Sequence, residues 1–178
     1  MAGLTVMKKF SKEKLHLPKI DGITLRWLIN IIGVIVVFFI IVFIISAFSI
    51  KNTYYSNVES ILNSGASSTA VSYFSANLDA GNTLEQSAAE YIDSYSYKEK
   101  TTTWIIDIDG NVVVSSSGFA IEKQDMPDYT QALQNDNNKA KYIGKISNGE
   151  KVMAVCRIIK DSNGDNVGAI RVLSSLEQ

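Results

Sequence analysis

The 178-residue chain has one histidine, one cysteine and two prolines, and each shortage closes off a kind of chemistry. The histidine, His16, precedes a long apolar run, so everything after that run has none. A Ser-His-Asp relay cannot be assembled there, and no G-x-S-x-G elbow surrounds Ser115, Ser116 or Ser117. A zinc site built on histidine or paired cysteines is excluded on the same ground. Cys156 has no partner for an internal disulfide and sits in an apolar, strand-like stretch, where a buried structural thiol is expected. Neither a Gly-rich nucleotide lid nor a helix presenting a phosphoacceptor histidine is present, so the chain reads as non-enzymatic, with no catalytic residue and no cofactor expected.

Charge is absent from Trp27 to Ile50, between Arg26 and Lys51. Apart from Gly33, the stretch Ile31 to Ile45 contains only Ile, Val and Phe, which leaves no polar stripe for an amphipathic surface helix. About 24 residues at a 1.5 Å rise reach roughly 36 Å, enough to cross a hydrocarbon core of about 30 Å. The run therefore reads as one membrane span. Lys8, Lys9, Lys12, Lys14, Lys19 and Arg26 oppose only Glu13 and Asp21 before it, so the positive-inside rule puts the N-terminus in the cytoplasm and the remainder outside. A cleaved signal peptide is the competing reading, but its apolar core is normally about 7 to 15 residues and ends in small residues. Here Ser46, Ala47 and Ser49 alternate with Phe48 and Ile50, which favours an uncleaved anchor. Gly22-Ile23-Thr24-Leu25 faintly resembles the cleavage region of type IV pilins, yet Trp27 stands where that family has glutamate.

The residues after the span carry 16 Asp and Glu against 11 Lys and Arg, so neither nucleic acid nor an anionic surface is a favoured partner. Helical spacing joins Ile50, Tyr54, Val58, Ile61 and Leu62, then Val71, Tyr73 and Phe74, with an interruption at Gly65-Ala66-Ser67-Ser68. After Asp79-Ala80-Gly81-Asn82, Thr83 three residues before Gln86 forms a capping-box pattern that opens a second helix to about Tyr97. Beyond Lys100 the period becomes strand-like. Thr101 to Ile108, the turn Asp109-Gly110-Asn111 and Val112 to Ser115 form a hairpin. Met126-Pro127-Asp128 starts a short helix; Ala140 to Ser147, Lys151 to Lys160 and Val167 to Ser174 supply three more antiparallel strands. The expected fold is α+β: a transmembrane helix leading into a long helix packed on a five-stranded antiparallel sheet. The expected divisions are 1–26 cytoplasmic tail, 27–50 span, 51–100 outer helices and 101–178 sheet, the last two forming one domain.

Trp104-Ile105-Ile106-Asp107-Ile108-Asp109-Gly110-Asn111-Val112, Ser115-Ser116, Asp128-Tyr129, Lys151 to Val155, Asp161-Ser162-Asn163-Gly164 and Val167 to Arg171 together resemble a single Cache domain. This is the PAS-like extracytoplasmic sensor fold of bacterial sensor histidine kinases and chemoreceptors, and the resemblance covers roughly residues 28 to 178. It implies a second span, a HAMP segment and a kinase after the sheet. The chain ends at Gln178, about where that return begins, so it reads as the N-terminal part of such a receptor.

The resemblance also places small ligands between the sheet and the segment joining its second and third strands, here Ser116 through Leu133. Trp104, Tyr129 and Tyr142 are then candidate aromatic walls, and Arg157 a candidate guanidinium for a carboxylate. For Trp104, Tyr129 and Tyr142, packing is the alternative role. Arg157 lies between Cys156 and Ile158 in an apolar strand, where it either meets a partner or points outward. Asp107-x-Asp109 and Asp161-x-Asn163-x-Asp165 invite a calcium reading, but glycine comes at the fourth position instead of the sixth and glutamate is missing at the twelfth. Hairpin turns use the same residues, and no metal is expected. The leading function is the extracytoplasmic input module of a two-component sensor histidine kinase or related receptor, homodimeric through the helix after the span. The partners expected are the lipid bilayer, a second copy and a small-molecule or protein signal. The rivals are an anchored structural or partner-binding domain and, less favoured without an outer histidine, an anchored hydrolase.

Overall fold

The computed structural model describes residues 22–97, 99–117, 125–147 and 149–177. The basic tail up to Asp21, His16 and the turn residue Asn148 fall outside these. By its internal contacts the chain divides into two units, Met1–Ser49 and Ile50–Gln178.

Helix α1 runs from Gly22 to Gly65. Its apolar stretch is exposed on every side and is the single helix among the described residues long and apolar enough to cross a membrane. Within the second unit, the last turns of α1 bury Leu62 and Gly65. The helix stops where expected. Ala66 N–H still donates to the Leu62 carbonyl at 3.0 Å, but Ser67 is extended (φ −78, ψ 166) and its Oγ accepts from Ala70 N–H, starting α2 at Ser68–Asp79. Gly81 (φ +91) takes the left-handed conformation that ends α2, and Thr83 with Gln86 forms the expected capping box of α3, Leu84–Ser94. Helix α3 is three residues shorter than its pattern suggests. Tyr95 turns extended (φ −71, ψ 121), and its hydroxyl donates to the Ile61 carbonyl at 2.9 Å. Tyr91 O–H donates to the Gly65 carbonyl at 2.7 Å, and the two rings stack at 6.2 Å. The phenol in the last turn of α3 and the one just past its end thus hold two carbonyls one turn apart on α1.

The strands are β1 Thr102–Ile106, β2 Val112–Ser115, β3 Lys139–Lys145, β4 Lys151–Lys160 and β5 Asn166–Ser175, with α4 Pro127–Gln134 between β2 and β3. They form one antiparallel sheet in the order β2-β1-β5-β4-β3. Strand β1 ends two residues before its expected limit because Asp107 Oδ1 accepts the N–H groups of Asp109 and Asn111, which closes the turn. Asp161 does the same for Asn163 and Asp165 between β4 and β5. Gly168 lets β5 lie close to β1, where a Cβ would stand 2.5 Å from the Ile106 carbonyl oxygen.

The two faces of the sheet differ. Ile105, Met153, Val155, Ile159, Ile170 and Val172 pack with Leu62, Phe74 and Tyr95 from the helices. The opposite face carries Trp104, Ile106, Ala140, Val152, Ala154, Cys156, Ile158, Ala169 and Leu173, with Met126 and Ala132 from the α4 region. This is an α+β fold with the long helix packed through its last turns on a five-stranded antiparallel sheet.

Candidate functional site

Side chains alternate across a sheet, so the pairings decide what meets on each face. Trp104 on β1 pairs with Arg171 on β5, Arg171 with Cys156 on β4, and Cys156 with Ala140 on β3. This row crosses the face opposite the three helices. Its centre is the Arg171 guanidinium, fully buried. Two small residues flank it on one side and an indole on the other, the guanidinium carbon lying 4.8 Å from the Trp104 ring centroid, a cation–π contact. From above, α4 brings Asp128, also fully buried, so that Arg171 Nε donates to Asp128 Oδ2 at 2.7 Å. Proline at the first turn of α4 aims Asp128 one residue later into this row.

The pair is incomplete. Buried arginine–carboxylate pairs generally form two parallel bonds, whereas this carboxylate uses one oxygen. Asp128 Oδ1, Arg171 Nη1 and Nη2, and Trp104 Nε1 are all buried without a hydrogen-bond partner among the described residues. Each such group costs about 1–3 kcal/mol when left unmet, more where it is charged. Four unmet positions on three touching side chains therefore form a polar locus on an otherwise apolar face. The neighbouring Cys156 thiol has its pKa pushed up, first by burial and then by Asp128, with Arg171 opposing, so it stays protonated and unreactive.

The four residues singled out from sequence separate in the structure. Trp104 is in this row. Tyr129, on α4, packs against the same apolar cluster, and its hydroxyl reaches the Asp107 and Ile108 carbonyls at 3.4 Å. Burial raises its pKa, with Cys156, Asp107 and Asp109 adding to the effect. Tyr142 pairs with Ala154 and so shares the face, but it lies on the edge strand and its hydroxyl donates to the Lys145 carbonyl. Arg157 has the opposite parity: it shares the face of Val155 and Ile159 and pairs with Lys139 on the helix side. Its Nε is buried and unpartnered, and its charge helps lower the pKa of Lys139 after desolvation. The buried guanidinium beside Trp104 is Arg171, and the carboxylate is Asp128. Both stood within the segments that resemble Cache domains without being read as a pair. The signal available was an arginine inside the apolar run Ala169-Ile170-Arg171-Val172-Leu173 with the parity of Trp104.

The acidic turns are occupied by their own backbone. Asp107 is desolvated, which raises its pKa, but hydrogen bonds from Asn111, Asp109 and Gly110 outweigh this and lower it overall. Asp161 is lowered, first by the Asp165 N–H. Among the described residues no group of three or more His, Cys, Asp or Glu side chains converges to hold a metal ion. A separate groove of about 560 Å³ lies between the Tyr54, Val58 and Ile61 side of α1 and the end of β5, Ser174 to Glu177.

The architecture just described is an apolar helix followed by a sheet of order β2-β1-β5-β4-β3. Among solved structures, the chain is similar to the ligand binding domain of the Pseudomonas aeruginosa PAO1 amino acid chemoreceptor PctC in complex with GABA. That match has 14% identity and a TM-score of 0.49, over 72% of this chain and 56% of that one. It is also similar to the E. coli DcuS sensor domain, at 13% identity and a TM-score of 0.37, over 68% of this chain and 86% of that one. The chain thus spans little more than half of the PctC domain. No protein-family model and no curated protein matches it.

Proposed function

We propose that the chain is the sensory input module of a bacterial membrane receptor, anchored by α1 with its N-terminus in the cytoplasm. In this reading the Ile50–Gln178 unit lies outside and takes a small molecule between the Trp104 face of the sheet and α4. The observation that supports it is the buried Arg171–Asp128–Trp104 group with four unmet hydrogen-bonding positions. Ligand binding there biases the position of α4 against the sheet, and differential affinity for two arrangements is what a receptor needs to signal. The order of elements and the resemblance favour a two-component histidine kinase as the output. The groove beside Tyr54, Val58 and Ile61 is the seam we assign to a second copy of the chain.

The test is a thermal-shift screen of the full chain in lipid nanodiscs against organic acids, amino acids and divalent ions. A raised midpoint with one compound class, lost in Arg171→Gln, is the expected result. No shift with any compound refutes the small-molecule reading and leaves an anchored partner-binding domain. For the output, DNA downstream of the codon for Gln178 is expected to encode, in frame, a second span, a HAMP segment and a kinase.

A further inference from the structure

The residues after the span are acidic in sum, yet their cations are not spread evenly. Register puts five of them on one face of the β3–β4 hairpin: Lys139 stands opposite Arg157, Lys145 stands opposite Lys151, and Lys141 between them shares the side of Val155. This is the helix side of the sheet. Met153 and Val155 are buried there in the core with the helices, while Lys141, Ile143 and Lys145 on the edge strand stay exposed. Like charges directly opposite one another on a sheet repel. Lysines that deter edge pairing account for β3, but not for the cations set across from two of them on β4.

Few carboxylates answer this charge. From α1 comes Glu59, whose Oε2 is bonded to Lys141 Nζ at 2.9 Å, and the one acid of α2, Asp79, accepts from Ser162 Oγ in the β4–β5 turn. At the far end of the strip Glu177 accepts the Lys151 N–H at 3.1 Å. Lys139 and Arg157 are left as two facing cations with no ion pair among the described residues, and Arg157 Nε is buried without a partner. Lys139 registers the crowding. Desolvation lowers its pKa and Arg157 lowers it further, while Glu59 pulls the other way against Lys141.

We propose that Lys139 and Arg157 together hold a phosphate dianion, free or as a monoester, with Lys141 on the diagonal as a third contact. The site lies on the face opposite the Arg171 group and stands independently of it. Two uncompensated positive charges are neutralised by a dianion, whereas a carboxylate leaves one of them unmet. Shape agrees with charge: the planar guanidinium takes two oxygens of a phosphoryl group and an ammonium takes the third. Directly opposed side chains start from Cβ atoms about 5 Å apart, so a single ion bridges both. Arg157 and Lys139 are half-buried and Lys141 is exposed, so the ion reaches them from solvent without opening the core.

The test is isothermal titration calorimetry of the full chain in maltoside detergent, at constant ionic strength and about pH 8, where a phosphate monoester is a dianion. The probes are inorganic phosphate, methyl phosphate, dimethyl phosphate and acetate. The first two are expected to bind with a Kd of about 1 mM or tighter, the affinity of two or three charge-assisted hydrogen bonds, and the two monoanions roughly tenfold more weakly. Lys139→Gln weakens methyl phosphate roughly tenfold. Lys145→Gln removes the same charge about 20 Å along the strand and changes Kd less than about twofold. Glu59→Gln frees Lys141 and tightens binding. Equal losses in Lys139→Gln and Lys145→Gln overturn the proposal, because they reveal a diffuse field instead of a site. So does dimethyl phosphate or acetate binding as well as methyl phosphate, and so does the absence of binding by both phosphates. None of these results touches the sensory reading, whose variant is Arg171→Gln on the other face.

Discussion

Replacing Gly65 by alanine tests whether the phenol contacts at the end of α1 are fixed or yielding. A Cβ at this position would stand 2.7 Å from Tyr95 Oη, 2.8 Å from its Cζ and 3.0 Å from Val172 Cγ2. Helix propensity alone favours alanine by at most about 1 kcal/mol. Against this, forcing a methyl into a filled core costs typically about 1–3 kcal/mol. The group that must move is Tyr95, 8% exposed, stacked on Tyr91 and bonded to the Ile61 carbonyl, so its displacement forfeits about 1 kcal/mol more. The net loss is about 1–3 kcal/mol. For a unit of this size each kcal/mol lowers the midpoint by roughly 3–5 °C, which predicts a drop of roughly 3–15 °C in near-UV circular dichroism melts in detergent. Tyr95→Phe is the control: it deletes the hydroxyl bond and introduces no atom, and is expected to lose about 1 kcal/mol. A Gly65→Ala midpoint at or above that of the parent chain would refute the reasoning, because it would mean that Tyr95 swings aside freely and holds nothing.

Three further outcomes are expected. Asp128→Ala strands a buried guanidinium and should lose about 3–5 kcal/mol in denaturant melts, while Asp128→Leu combined with Arg171→Met should lose markedly less. Asp161 has a folded pKa below the ordinary 3.8, so the stability it contributes is present above that value and disappears as pH falls through the folded pKa. A carboxyl NMR titration should place its midpoint below 3.8, and a midpoint above it would contradict the turn assigned to its hydrogen bonds. Cys156, buried and with its pKa raised, should resist maleimide in the folded protein and react on unfolding; rapid native labelling would show that the Trp104 face is open.

Local chemistry made much of the fold readable. The Thr83–Gln86 box, the Asp-x-Asx-Gly turns and the Gly65–Ser67 break are each written in consecutive residues, and each appears where expected. Errors arose where a distant partner decides the geometry. Tyr91 and Tyr95 continue a helical pattern, but the carbonyls of α1 draw Tyr95 out of it. The site was harder still, because β4 and β5 are buried on both faces and lose the alternation that betrays orientation in a half-exposed strand. Arg157 and Arg171 therefore look alike in sequence. Only the register across β1, β5 and β4 puts one with the helices and the other beside Trp104.

The sheet's two borders bear on how copies of this protein avoid one another. Strand β2 has only four residues, and β3 sets Lys139, Lys141 and Lys145 along the outer margin. A second β3 laid antiparallel against it would bring ammonium groups face to face, and a partner on β2 would find little backbone to grip. Edge-to-edge stacking into fibrils is therefore disfavoured at both margins, which helps to keep copies of the sheet dispersed.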